Sequence, residues 1–195
     1  PDAFEDEVLD AIVINAAGCG ATLKEYEVLM KNESEAYQQK AKQFCHKLKG
    51  VSEFLGEIDF QPPTNQIKYK VTYDAPCHLI HGQKLPGIPA NVLDATGYSW
   101  QLAPGARDCC GSGGSYNLQK PANAKEILSR KAAFLQEQTG GPVMLATSNH
   151  VCMMQWHSAR SAGLAPHGLQ VRHVIQLLDP GPEFESATRP PRVTT

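Results

Sequence analysis

The chain has 195 residues, 42% of them hydrophobic and 19% charged, with a net charge of −2. That composition suits a globular protein of one or two domains and excludes an intrinsically disordered chain. No lysine or arginine cluster points to nucleic acid, and the apolar runs "AIVINAAGCGA" and "PVMLA" fall short of the roughly 20 residues a membrane span needs.

Short apolar runs alternate with longer helical patterns, which predicts an α/β fold with a mainly parallel sheet flanked by helices. "DAIVINAA" (10–17) reads as a buried strand and "ATLKEYEVLMK" (21–31) as a helix. Residues 33–49 carry small or apolar side chains at 36, 37, 41, 44, 45 and 48, which is helical spacing. Two prolines in "DFQPPTNQ" mark 59–66 as a linker. A second series follows: a strand at 67–76, a short helix at 89–97, a strand at 98–103 and a helix at 121–141. The apolar stripe of that last helix is Ala124, Ile127, Leu128, Phe134 and Leu135. A strand at 142–149 and a helix at 151–163 complete the pattern, and the proline-rich stretch 179–195 reads as extended or disordered.

Laying Cys19 on Cys152 exposes an internal repeat. "AIVINAAGC" matches "MLATSNHVC" as strand, turn and cysteine, and "GVSEFL" (50–55) resembles "HVIQLL" (173–178) as a closing segment. Residues 67–141 have no counterpart before Cys19, so the chain is expected to begin inside its first repeat, with 1–58 as a back half and 67–178 as a complete unit.

Of six cysteines, Cys77, Cys109, Cys110 and Cys152 each fall just past the carboxyl end of a predicted strand. In a parallel sheet those ends share one edge, so the four thiols are expected to converge there. Adjacent residues of a strand point to opposite faces, so Cys109 and Cys110 can share a ligand only on a turn. Gly111, Gly113 and Gly114 permit one, and they let backbone N–H groups approach an anion. Three readings stand at this point: an iron–sulfur cluster, a zinc ion, or packing thiols. Cys45 lies on the apolar stripe of its helix and reads as packing.

The spacing is more specific. "YDAPCHLIHGQ", "CCGSGGSYNLQKP", "SRKAAFL", "SNHVCMMQ" and "NAAGCGATLKEY" together resemble the cysteine-rich "CCG" domain family. That family includes iron–sulfur subunits of glycolate oxidase, lactate-utilisation iron–sulfur proteins and the cysteine-rich component of heterodisulfide reductase. The resemblance covers most of residues 10 to 178 and implies one complete CCG repeat after the back half of another. It implies that Cys77, Cys109, Cys110 and Cys152 hold a cluster, a [4Fe-4S] type with zinc as the alternative, while Gly111, Gly113, Gly114 and Asn149 contact it. Family members end the pattern in C-x2-C; here Asn149 and Ala16 stand at the leading position, leaving four thiolates.

The function implied is electron transfer beside flavin-containing subunits that oxidise glycolate, with no substrate-oxidising residue in this chain. The rivals are a relative serving lactate or glycerol 3-phosphate, and a zinc-stabilised or metal-free docking module. The expected location is the cytoplasm, with the complex able to touch the inner face of the membrane. His78 and His81 are expected as hydrogen-bonding or surface residues, His150 and Asn149 as partners of Cys152, Cys19 as a lone thiol, and Met153, Met154 and Trp156 as core.

Overall fold

The computed structural model describes residues 2–4, 8–58, 60, 70–139 and 144–178. Most of the linker at 59–66 and all of the segment 179–195 lie outside the described residues.

The larger sheet has four strands, all parallel, in the order β4-β3-β5-β6. They are β3 (Lys70–Tyr73), β4 (Ser99–Leu102), β5 (Met144–Thr147) and β6 (Gln170–His173). Every residue of β5 is buried, as expected of a strand with a neighbour on each side and a layer on each face. Alternation along the strands separates two cores. Val71, Tyr73, Met144 and Ala146 meet Val92 and Leu93 of α5 (Ile88–Ala95) and the 3-10 turn Val174–Leu177. Leu145 and Val171 meet Leu128, Ala132 and Leu135 of α7 (Pro121–Thr139), with Trp156 and Ala159 of α8 (His150–Ser161). The architecture is therefore α/β, as the alternating pattern predicted. The short α6 (Tyr116–Gln119) precedes α7.

A smaller parallel pair precedes it: β1 (Ile12–Ile14) with β2 (Leu48–Gly50), Ile12 opposite Leu48. Between them lie α1 (Ala17–Lys24), α2 (Tyr26–Leu29) and α3 (Glu35–Lys47), and α4 (Val51–Glu57) follows. The first strand is shorter than the predicted 10–17, because Ala16 already caps α1.

The two turns that carry Cys19 and Cys152 share local features. Ala16 and Asn149 are N-cap residues, and Cys19 and Cys152 each stand three positions further on, within the first turn of their helices. Each helix leads to a parallel partner strand that ends in the same cap. Gly50 N donates to Glu53 Oε2 at 2.7 Å, and His173 N to Gln176 Oε1 at 2.8 Å. The two units touch where Ala17 N donates to Ser148 O at 3.3 Å and Gln83 Nε2 to Ala17 O at 2.8 Å.

The second cap titrates. Buried His173 accepts from Ile175 N through Nδ1 at 3.3 Å, and burial pushes its pKa below the usual value. A folded-state pKa below the unfolded one means stability present above about pH 6.5 and lost as pH falls toward the lowered value. Protonation also removes the Nδ1 acceptor. We expect the urea midpoint to drop between pH 7.5 and 5.5, at a cost of about 1 kcal/mol, the worth of such a cap. In His173→Asn, which keeps an acceptor but does not titrate, the drop should shrink; an equal drop would assign it to other groups.

Candidate metal centre

Three segments leave the carboxyl ends of neighbouring strands and turn toward one another. β3 continues through Asp74, whose N–H donates to Ala146 O at 2.8 Å, and reaches Cys77 at the start of a π-helical turn, His78–Gly82. β4 continues through Ala103, which donates to Tyr73 O at 2.8 Å, and reaches Cys109 and Cys110. β5 runs through Ser148 and Asn149 into α8, where Cys152 is buried.

The sulfurs form two close pairs, bridged along the chain by the adjacent Cys109 and Cys110. Cys77 Sγ lies 3.9 Å from Cys109 Sγ, and Cys110 Sγ lies 3.2 Å from Cys152 Sγ. The four thiols thus meet at one edge of the sheet, as the strand-end argument predicted. Cys110 and Cys152 are buried; Cys77 and Cys109 are half-buried, and none of the four is in a disulfide.

Donors surround the sulfurs. Gly111 N donates to Cys109 Sγ at 3.4 Å and Asn149 Nδ2 to Cys152 Sγ at 3.4 Å. His78 Nδ1 stands 3.6 Å from Cys77 Sγ. Gly111, Gly113 and Gly114 have φ of +86°, +48° and +67°, the left-handed region that lets the loop fold back on itself. These donors sort the thiols. The adjoining Cys110 and Cys77 thiols hold Cys109 well below the ordinary thiol value, and the bond from Cys110 lowers Cys152. Cys77 and Cys110 move up, chiefly through the adjoining Cys109 thiol.

A cavity of about 520 Å³ opens here, lined by Cys77, Cys110, Cys152, Asn149, Ser112, Gly113 and Gly114. Cys19 of α1 lines it too, so the thiol expected to stand alone faces the same space as three of the others. Ser112 Oγ and Asn149 Oδ1 are buried there without a partner among the described residues. Thiolates ringed by N–H donors, with an unpaired buried hydroxyl beside them, fit an anionic sulfur-bearing group.

The remaining candidates divide. His81 and His150 are exposed, and only Asn149 of the pair beside Cys152 bonds to it. Cys45 is half-buried rather than core and donates to Leu23 O at 3.4 Å. Trp156 is fully buried, but Met154 is 64% exposed and Phe134 47%, against expectation, because each points off the buried face of its helix.

Sequence reasoning missed a buried ion pair beneath the thiols. Lys131 Nζ lies 2.6 Å from Asp74 Oδ1 and donates to Asp108 O at 2.6 Å, while Trp156 Nε1 donates to Asp74 Oδ2 at 2.6 Å. Burial pushes the Asp74 carboxyl above the usual carboxylate range, with Lys131 and the indole opposing it. The available signal was helical register, since Ala124, Leu128, Lys131 and Leu135 share one stripe.

Comparison with known proteins agrees with this geometry. Residues 71–156 match the model of the cysteine-rich domain, CCG. The chain is 35% identical over 176 residues to the glycolate oxidase iron-sulfur subunit of Escherichia coli, covering 90% of this chain and 41% of that protein. It is 34% identical over 159 residues to the probable glycolate oxidase iron-sulfur subunit of Bacillus subtilis, covering 78% and 34% respectively. The chain thus spans less than half the length of these two relatives. It is also 24% identical over 173 residues to lactate utilization protein A of Shouchella clausii, covering 87% of this chain and 70% of that one. The thiol-bearing strand ends thus coincide with the matched segment, and residues 71–156 belong to the cysteine-rich domain family, CCG.

Proposed function

We propose that this chain is the cluster-carrying portion of an iron–sulfur electron-transfer subunit, serving a flavin-linked complex that oxidises glycolate to glyoxylate. The observation that carries the reading is the convergence of Cys77, Cys109, Cys110 and Cys152 at one edge of the sheet as two close sulfur pairs. When bound, a [4Fe-4S] cluster supplies one-electron storage, which splits the two electrons of a flavin into single steps.

The chain's own residues hold and tune. The four thiols are the ligands, Gly111 N and Asn149 Nδ2 donate to two of them, and Ser112, Gly113 and Gly114 line the space beside them. Such donors stabilise negative charge on sulfur and so favour the reduced state. Residues 67–178 form the working repeat and 1–58 the back half of its predecessor in this reading. Glycolate is favoured over lactate by the names of the two relatives at 35% and 34% identity. The flavin subunits are the partners. No helix among the described residues is long and apolar enough to cross a membrane. We place the complex in the cytoplasm, able to touch the inner membrane face.

Anaerobic reconstitution with iron and sulfide tests the reading. The expected product carries about four irons and four sulfides per chain, with visible charge-transfer absorption and an EPR signal on one-electron reduction. Uptake of one zinc, with iron and sulfide refused, would replace it with the docking-module reading.

A further inference from the structure

The Asp74–Lys131 pair asks for a reason to exist. Asp74 is 1% exposed, Lys131 3% and Trp156 0%. Burying two charges costs several kcal/mol each, and an apolar pair of equal volume is often as stable or more so. Stability alone therefore does not account for it. Its location does. Asp74 directly follows β3, three residues before Cys77; Asp108, whose carbonyl takes the Lys131 ammonium, directly precedes Cys109; Trp156 stands one helical turn beyond Cys152. One ammonium and one carboxylate thus tie together all three segments that carry the thiols.

We propose that the buried Asp74–Lys131 pair, held by the Trp156 indole, is a positioning device that sets the spacing of the four thiols and tunes the potential of the centre they form. The inference rests on the cluster reading above. Lys131 reaches two segments at once: its ammonium pairs with Asp74 Oδ1 at 2.6 Å and donates to Asp108 O at 2.6 Å. Asp74 is held from two sides, one oxygen by Lys131 and the other by the indole, so its carboxylate cannot swing without breaking a 2.6 Å contact. Both charges act on the Cys152 sulfur, the carboxylate disfavouring its anion and the ammonium favouring it. The pair is neutral in sum. Removing one member leaves a bare charge beside an anionic centre, where the low local dielectric magnifies it.

Opposite signs give a readout that a merely structural role does not move. In the full chain reconstituted with iron and sulfide, Asp74→Asn leaves the ammonium and should shift the midpoint potential up. Lys131→Met leaves the carboxylate and should shift it down, with cluster content falling below half of wild type. The double variant D74N/K131M restores neutrality and should return both potential and content toward wild type. Trp156→Phe keeps both charges but strips a donor from Asp74, and should move the potential down by less than Lys131→Met; it also serves where Lys131→Met does not fold. Loaded variants that all share the wild-type midpoint, whatever their content, overturn the device and leave the cluster reading standing. A wild-type chain that takes up no cluster overturns both.

Discussion

Gly111→Ala should cost the protein its cluster while leaving the four-stranded sheet folded. Gly111 has a φ of +86°, and a Cβ placed there would sit 2.5 Å from the carbonyl oxygen of Ala124. No real carbon–oxygen contact is that short, and the oxygen belongs to the backbone of α7, whose Ala124 is itself buried. The left-handed conformation adds about 1–2 kcal/mol for any residue with a Cβ. The loop must therefore lift away from α7, breaking the Gly111 N to Cys109 Sγ bond and pulling Cys110 from Cys152. Its two neighbours grade the effect. At Gly113 a Cβ would lie 2.9 Å from Tyr116 Cβ, and at Gly114 it would meet nothing within 4 Å. Iron and sulfide retained after desalting should fall in the order Gly114→Ala, Gly113→Ala, Gly111→Ala, the last nearly to zero. Unchanged far-UV circular dichroism would show the sheet intact. A Gly111→Ala protein that loads like wild type would remove the loop from the site.

The sheet was legible because β3 and β5 pair β-favouring or apolar residues with cysteines just past their ends. Two strands were absorbed into neighbouring patterns. β2 spans only Leu48–Gly50 and follows α3 without a break, so its residues read as the end of that helix. β6 had no reading of its own: only its last residue, His173, fell in the closing segment 173–178, and the strand runs straight into the 3-10 turn at Val174. The stripe of α7 was misread for a different reason. Ranking side chains by apolarity selected Phe134, whereas helical angle selects Lys131, which lies between Leu128 and Leu135 and is buried where Phe134 is not. A buried lysine becomes reasonable only with its partner known, and Asp74 comes from a different strand. Cys19 was likewise legible as a motif; its approach to the cavity depends on how α1 packs beside the π-helical turn.

The cysteines themselves offer the most direct test of which thiols count. Cys110→Ser should remove iron and sulfide together. Its sulfur is buried 3.2 Å from Cys152 Sγ, and a serine hydroxyl gives up its proton far less readily than a thiol, so it would not supply the anionic ligand. Cys109→Ser should behave alike, because its neighbours hold the Cys109 thiol below the ordinary value and a serine hydroxyl there would not ionise. Cys45→Ser should load as wild type, since a hydroxyl there can make the same bond to Leu23 O. Cys19→Ser discriminates further. With four ligands drawn from Cys77, Cys109, Cys110 and Cys152, its loading and EPR spectrum should match wild type although it lines the same cavity. A drop in Cys19→Ser equal to that in Cys110→Ser would make the site a joint product of both units, with a fifth thiol supplied by α1. Loading should also release protons, because Cys77 and Cys110 hold theirs more tightly than an ordinary thiol and must yield them to bind metal. Cluster uptake should therefore weaken as pH falls, and a pH-independent uptake would contradict ligation by those two sulfurs.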